Sequence, residues 1–331
     1  MDLADVVDGA LELPVFTSFT RLGHDARRRL DHWTPLDRYR LEGRVMLVTG
    51  ASSGLGLVGV EQLARCGATV LLLGRDRAKT RRVRDEIATR TGNDSLDVVV
   101  ADMGDLDAVR AAADEVRSRH DRLDVLVHNA GALTADRRTA PSGLELVVAS
   151  QVVGPFLLTS LLLDLLRHSA PARVVTMSSG GMYASPLRVD DLQMGDDYKG
   201  SEQYARAKRA QVTLNEMWAA RVPSSEVVFH AMHPGWADTP GVQESLPTFR
   251  KVVGPLLRTA EQGADTMVWL SADDGEPLAT TGGFWLDRRR RSLHKIPSTK
   301  KSDTPERRQR LWNWVVEASG VDPAQLPQVS S

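Results

Sequence analysis

The chain has 331 residues, 42% hydrophobic and 26% charged, a balance that excludes a disordered chain and suffices for one large domain or two small ones. Its 42 basic and 43 acidic residues leave a formal charge of -1, which excludes a uniformly basic nucleic-acid binder and a strongly acidic solvating chain. A single cysteine, Cys66, excludes an internal disulfide, and no Cys/His group has zinc-finger spacing, so a reducing, cytoplasmic location is expected.

Residues 1–43 read as an N-terminal extension. The first thirteen residues carry four acids and no base, unlike a secretory signal, and no apolar run approaches the roughly 18 residues of a membrane span. Phe16, Phe19, Leu22 and Leu30 surround Arg27-Arg28-Arg29. That grouping suits an amphipathic contact with an anionic membrane; the plainer reading is a solvated flank or a packed extension.

From Val45 short apolar runs alternate with amphipathic stretches, which predicts βαβ units and a parallel sheet. Seven strands are expected, at 45–49, 68–74, 95–101, 122–128, 172–178, 225–232 and 282–287. Helices are expected to begin near Leu55, Asp76, Asp107, Ser142, Ser201 and Thr259. No linker interrupts residues 44–290, so the fold class is α/β, a single doubly wound domain with a seven-stranded parallel sheet.

The first strand runs into Thr49-Gly50-Ala51-Ser52-Ser53-Gly54-Leu55-Gly56 and then a helix, the context that gives a glycine motif meaning. Gly50 permits a tight turn, Gly54 lets backbone approach a pyrophosphate, and Gly56 allows close helix–sheet packing in a Rossmann-type fold. After the second strand Gly74 stands where an NAD-binding carboxylate would be, and Arg75 suits a 2′-phosphate. NADP(H) is therefore the expected cofactor, with NAD(H) kept open because Arg75 also reads as a solvated helix-start residue. Asp102, followed by Met103, could meet the adenine, while Asn129-Ala130-Gly131 pass close to a cofactor; Asn129 reads equally as a structural tie between strands.

Ser178 and Ser179 follow the fifth strand, and Tyr204 and Lys208 share a helical face four residues apart. A neighbouring ammonium favours phenolate, so Lys208 is expected to lower the Tyr204 pKa and make proton transfer possible. His233-Pro234-Gly235 follows the sixth strand. With no HExxH pair or carboxylate cluster among eight histidines, no metal is assigned.

This order of motifs over about 45–290 resembles the single-domain short-chain dehydrogenase/reductases (SDR). The strings MSSGGM (177–182), DDLQ (190–193), YARAKRAQVTL (204–214), MHPGWADTPGV (232–242) and EQGADTMVWL (261–270) are similar to the member-12-like and retinol-dehydrogenase-like groups. The resemblance implies that Tyr204 is the general acid/base, that Lys208 also holds the nicotinamide ribose, that Ser179 rather than Ser178 orients the substrate oxygen, and that Thr239 meets the carboxamide. Gln151 of Gln151-Val152-Val153-Gly154 stands where the family has the asparagine of an NxxG element, and its extra methylene puts the water relay to the lysine in doubt. A low-turnover NADP-binding sensor or scaffold is the alternative reading. The resemblance also implies a hydride transfer between nicotinamide and a carbonyl/alcohol pair, and leaves open a homodimer or homotetramer through the Tyr204 helix.

Between Trp236 and Arg258, a lid at about 236–258, Val242, Leu246, Phe249, Val252, Val253, Leu256 and Leu257 have roughly helical spacing and suit a hydrophobic substrate; they serve equally to pack the lid or a subunit contact. Met182, Tyr183 and Trp236 could line the same pocket. In the tail, residues 291–331, Trp312, Trp314 and Val315 mark a short helix docked on the body. The charge is uneven: residues 21–44 carry net +3, residues 288–310 net +8, and the rest -12. These basic flanks are the first place to look for partners, although no specific nucleic acid is expected.

Overall fold

The computed structural model describes residues 3–12, 15–131, 133–239, 243, 250–251 and 253–328. Its sheet is ordered β3-β2-β1-β4-β5-β6-β7-β8, with β1 Val45–Thr49, β2 Thr69–Gly74, β3 Leu96–Val100, β4 Val125–His128, β5 Ala172–Met177, β6 Val227–Met232, β7 Gly283–Leu286 and β8 Arg289–Arg290. Strands β1 to β7 are parallel and β8 is antiparallel to β7.

Alternation along β1 sends Val45 and Leu47 to one apolar layer and Met46 and Val48 to the other. Both faces are covered, which is why the strands read as nearly unbroken apolar runs. The first layer contains the helices Leu106–Arg119, Gly154–His168 and Gly200–Ala219; the second contains Gly54–Arg65 and Ala260–Ala272. Side-chain caps set several starts: Asp76 accepts from Lys79 N, Asp105 from Ala108 N, and Thr259 with Gln262 forms a capping box.

Eight strands form rather than seven. Asp287 and Arg288 both take positive φ, +55° and +54°, and so turn the chain in two residues to pair Trp285–Leu286 with Arg289–Arg290. The helix expected near Ser142 begins at Leu146, because Thr139 bridges Glu145 and the intervening turn uses that stretch. Leu146–His168 is, against expectation, long and apolar enough to cross a membrane, but 78% of its most apolar window is buried, so its apolarity is that of a core helix. Its Ala149–Val153 turn is π-helical.

Residues 3–12 and 15–30 form the helices Leu3–Glu12, Val15–Phe19 and Arg21–Leu30 against the β7–β8 end. The tail helix, Pro305–Ser319, is longer than expected and docks as expected. Trp312 lies 5.1 Å from both Phe156 and Trp218, and Arg308 reaches Glu216 of the Gly200–Ala219 helix at 2.7 Å.

Candidate active site

Because β1 to β6 run parallel, their carboxyl ends share one edge of the sheet, and the polar segments picked out in the sequence follow those ends in turn. At the β1/β4 switch point, Thr49 Oγ1 accepts from Asn129 N (3.0 Å) and Ala130 N (2.9 Å), while Asn129 Nδ2 donates to Thr49 O at 2.9 Å. Asn129 is thus a strand tie. Thr49, which sequence reasoning treated only as part of the glycine turn, is its other half.

Gly50 and Gly54 have φ of +66° and +56°. A Cβ on Gly50 would lie 2.9 Å from Ala130 Cα, and one on Gly56 would lie 2.4 Å from Gly50 O, so this cradle excludes side chains. Ser52 and Leu55 are half-buried beside it, and Ser53, the residue preceding the helix, is exposed and leaves the first helical N–H groups without a side-chain cap. Such a helix start fits a phosphate.

A Cβ on Gly74 would approach Thr80 Oγ1 to 2.3 Å, so no carboxylate fits at that position, and Arg75 stands exposed beside it. Asp102 is also exposed, its Oδ1 accepting from Gly104 N at 2.8 Å. Met103 is only 4% exposed; its side chain belongs to the core, leaving its backbone at the site.

The Gly200–Ala219 helix brings Tyr204 and Lys208 to the end of β5. Lys208 Nζ donates to Met177 O at 2.8 Å and lies 5.2 Å from the Tyr204 ring centre. Ser178 is buried and its hydroxyl donates to Lys208 O at 3.3 Å, whereas Ser179 Oγ accepts from Gly181 N at 3.2 Å and pulls the Tyr204 phenol pKa down. Ser178 is thus engaged by the backbone of the Tyr204 helix, whereas the Ser179 hydroxyl keeps its own proton for another partner.

Burial pushes the Tyr204 phenol up to about 12, against the pull of Ser179, and pushes Lys208 down to about 7. The net shift of the phenol is upward because its burial outweighs the pull of Ser179, and burial likewise sets the direction for Lys208. Gln151 is fully buried on the π-turn and packs on Gly131, where a Cβ would come within 3.2 Å of its Oε1. Behind it His128, Thr159, Gln211 and Asn215 line a cavity of about 30 Å³, room for a water molecule.

After β6, Gly235 N donates to His233 Nδ1 at 2.9 Å, and Pro234 O accepts from Arg258 Nη1 at 3.2 Å. Gly235 has φ +71°, and a Cβ there would strike the Arg258 guanidinium at 2.3 Å. Thr239 is half-buried and its carbonyl accepts from Gln243 N. Arg258 itself is buried and bound to Asp287, which also binds Arg27 at 2.6 Å. Burial alone would raise the Asp287 carboxyl, but Arg258 and Arg27 outweigh it and hold it at about 2.

Neither Arg258 nor Asp287 carries a motif signal. Of the lid positions, Val242, Leu246, Phe249 and Val252 lie outside the described residues; Val253 and Leu257 are buried and Leu256 half-buried. Met182 and Tyr183 are buried with Phe19, Phe284 and Leu286.

The basic flanks find partners within the chain. Arg27 binds Asp8, Arg288 binds Asp265, Arg289 binds Asp31, and Arg291 binds Asp8. Phe19 is buried too, at 3% exposure, so an amphipathic membrane face loses its central aromatic ring and one of its three arginines.

A sequence model described as short chain dehydrogenase matches residues 44–248. The human protein named dehydrogenase/reductase SDR family member 12 is 36% identical over 295 residues, covering 88% of this chain and 91% of the relative. Human retinol dehydrogenase 12 is 32% identical over 285 residues, covering 85% and 88%. A structure from Escherichia coli CFT073, solved in complex with NADPH, superposes with a TM-score of 0.62 at 27% identity, covering 77% of this chain and all of its own.

Proposed function

The chain belongs to the short-chain dehydrogenase/reductase family, and from that premise we propose that it is an NADP(H)-dependent oxidoreductase acting on a hydrophobic carbonyl/alcohol pair. The observation that carries the reading is the meeting of Ser179, Tyr204 and Lys208 at the carboxyl end of β5, with Lys208 held by Met177 O beside the Tyr204 ring. NADP(H) fits the glycine cradle, the uncapped helix start and the pairing of Gly74 with Arg75. The relative solved with NADPH, and the relative whose name specifies retinol, an apolar alcohol, agree with the two halves of the proposal.

In this reading the glycine turn holds the pyrophosphate and Arg75 the 2′-phosphate, while Pro234, Gly235 and Thr239 face the nicotinamide. The bound cofactor supplies the hydride. Ser179 hydrogen-bonds the carbonyl oxygen, and Tyr204 donates its proton to that oxygen as hydride reaches the carbon; oxidation of the alcohol reverses both transfers. Lys208, tied to Met177 O, holds the ribose side of the site, and Gln151 supports the proton path behind it. The low-turnover sensor has less support, because a binding protein needs no lysine held beside a phenol at the strand end. We place the protein in the cytoplasm, which its lone, buried thiol suits.

The test is transfer of label. Incubation with C4-dideuterated NADPH and a panel of hydrophobic aldehydes and ketones is expected to put one deuterium on the carbinol carbon. NADPH binding without labelled alcohol from any member of the panel would overturn the reading.

A further inference from the structure

We propose that residues 15–20 of the N-terminal extension form a fixed wall of the substrate cleft, in which Phe16 and Trp236 receive the flat, apolar body of an aryl ketone or aldehyde. The inference rests on the reductase reading and names the substrate class of that same site.

Phe19 joins the two loops that matter. Gly180 directly follows Ser179, and a Cβ on it would lie 2.7 Å from Phe19 Cε2, so the ring rests on the backbone of the serine's own turn. The Phe19 carbonyl accepts from Trp236 N at 2.7 Å, and its ring meets His233 at 4.2 Å and Trp236 at 5.7 Å, both edge-on. The extension therefore packs on the loops after β5 and β6, the neighbouring strand ends that carry Ser179 and Pro234-Gly235.

Phe16, three residues earlier on the same helix face, meets Trp236 edge-on at 5.9 Å yet remains 42% exposed. With an interplanar angle of 73°, the two rings make an aromatic corner beside the serine loop. A flat ring can lie on one face and meet the other edge-on, covering more of both than a short aliphatic aldehyde does. The corner is held still by buried charge. Arg258 Nη2 donates to Ser18 O at 3.0 Å and its Nε to Phe19 O at 3.1 Å, while Arg27 binds Ser18 O and Asp287.

The test uses the full chain saturated with NADP+, where a ketone binds but cannot be reduced. Dissociation constants are measured for acetophenone, 2-acetylnaphthalene and 9-acetylanthracene, with butanal as control. The wild type is expected to bind more tightly as rings are added. Phe16→Ala, an exposed position whose melting temperature is checked first, is expected to weaken the tricyclic ketone about five- to tenfold while leaving butanal and NADP+ unchanged. Phe16→Tyr is expected to restore it. Equal affinities in wild type and Phe16→Ala, an equal loss for butanal, or no dependence on ring number would overturn the proposal. Because binding is read without turnover, that failure is distinct from a failure of label transfer.

Discussion

Lys208 holds its ammonium 5.2 Å from the centre of the Tyr204 ring while donating to the Met177 carbonyl at 2.8 Å. The lysine is thus fixed by the end of β5 rather than by the phenol, and its position costs stability. Burial lowers it from 10.5 to about 7. Below pH 7 the folded chain carries a buried ammonium; between 7 and 10.5 only the unfolded chain holds that proton, so the penalty fades as pH rises. Lys208→Met should stabilise the protein by about 1 kcal/mol or more at pH 6 and by little at pH 10. Thermal melts across that range check it, and a gain that does not shrink with pH would contradict it.

Asp287 is the sole carboxylate bound to both Arg27 and Arg258 among the described residues. Asp287→Ala would strip the buried Arg258 of its carboxylate and leave Arg27 to Asp8 and Glu12, with a loss of about 3–5 kcal/mol in urea unfolding and faster proteolysis within residues 1–30. A wild-type unfolding curve would show that the network is dispensable.

These two sites differ in how far the sequence reveals them. The alternation of Val45 to Thr49 and the glycine turn make β1 and the cofactor end legible, because covered strands and tight turns admit few residue types. Tyr204 and Lys208 are legible through helical spacing, but their pKa shifts are not, since desolvation depends on what tertiary packing places over them. The β7–β8 hairpin is hidden because Asp287 and Arg288 occupy positions that usually call for Asn or Gly. The buried role of Arg27 is hidden for a related reason: a run of three arginines reads as solvated until Asp8 and Asp287 are seen beneath one of them.

Gln151 tests how tightly the π-turn must be held. Gly131→Ala would bring a Cβ to 3.2 Å from its Oε1 and push the amide back by a few tenths of an ångström. A fall of about tenfold in kcat at saturating NADPH is expected, since catalytic geometry is sensitive to small displacements. Unchanged kcat would remove Gln151 from the proton path.

In the NADP(H) reading proposed above, cofactor choice would turn on Arg75, since a Cβ at Gly74 would meet Thr80 Oγ1 at 2.3 Å. Arg75→Gln should weaken NADPH by about tenfold or more and leave NADH unaltered. Parallel titrations measure this; an equal change for both cofactors would assign Arg75 to the helix start alone.

The most direct measurement is NADPH-dependent reduction of a hydrophobic carbonyl panel by wild type and Tyr204→Phe at equal cofactor occupancy, from pH 6 to 9. With the phenol pushed up to about 12 it stays protonated over this range, so Tyr204→Phe should lose about 100-fold or more in kcat at every pH with NADPH affinity intact. Equal rates for the two proteins would contradict the assignment of Tyr204 as the proton donor.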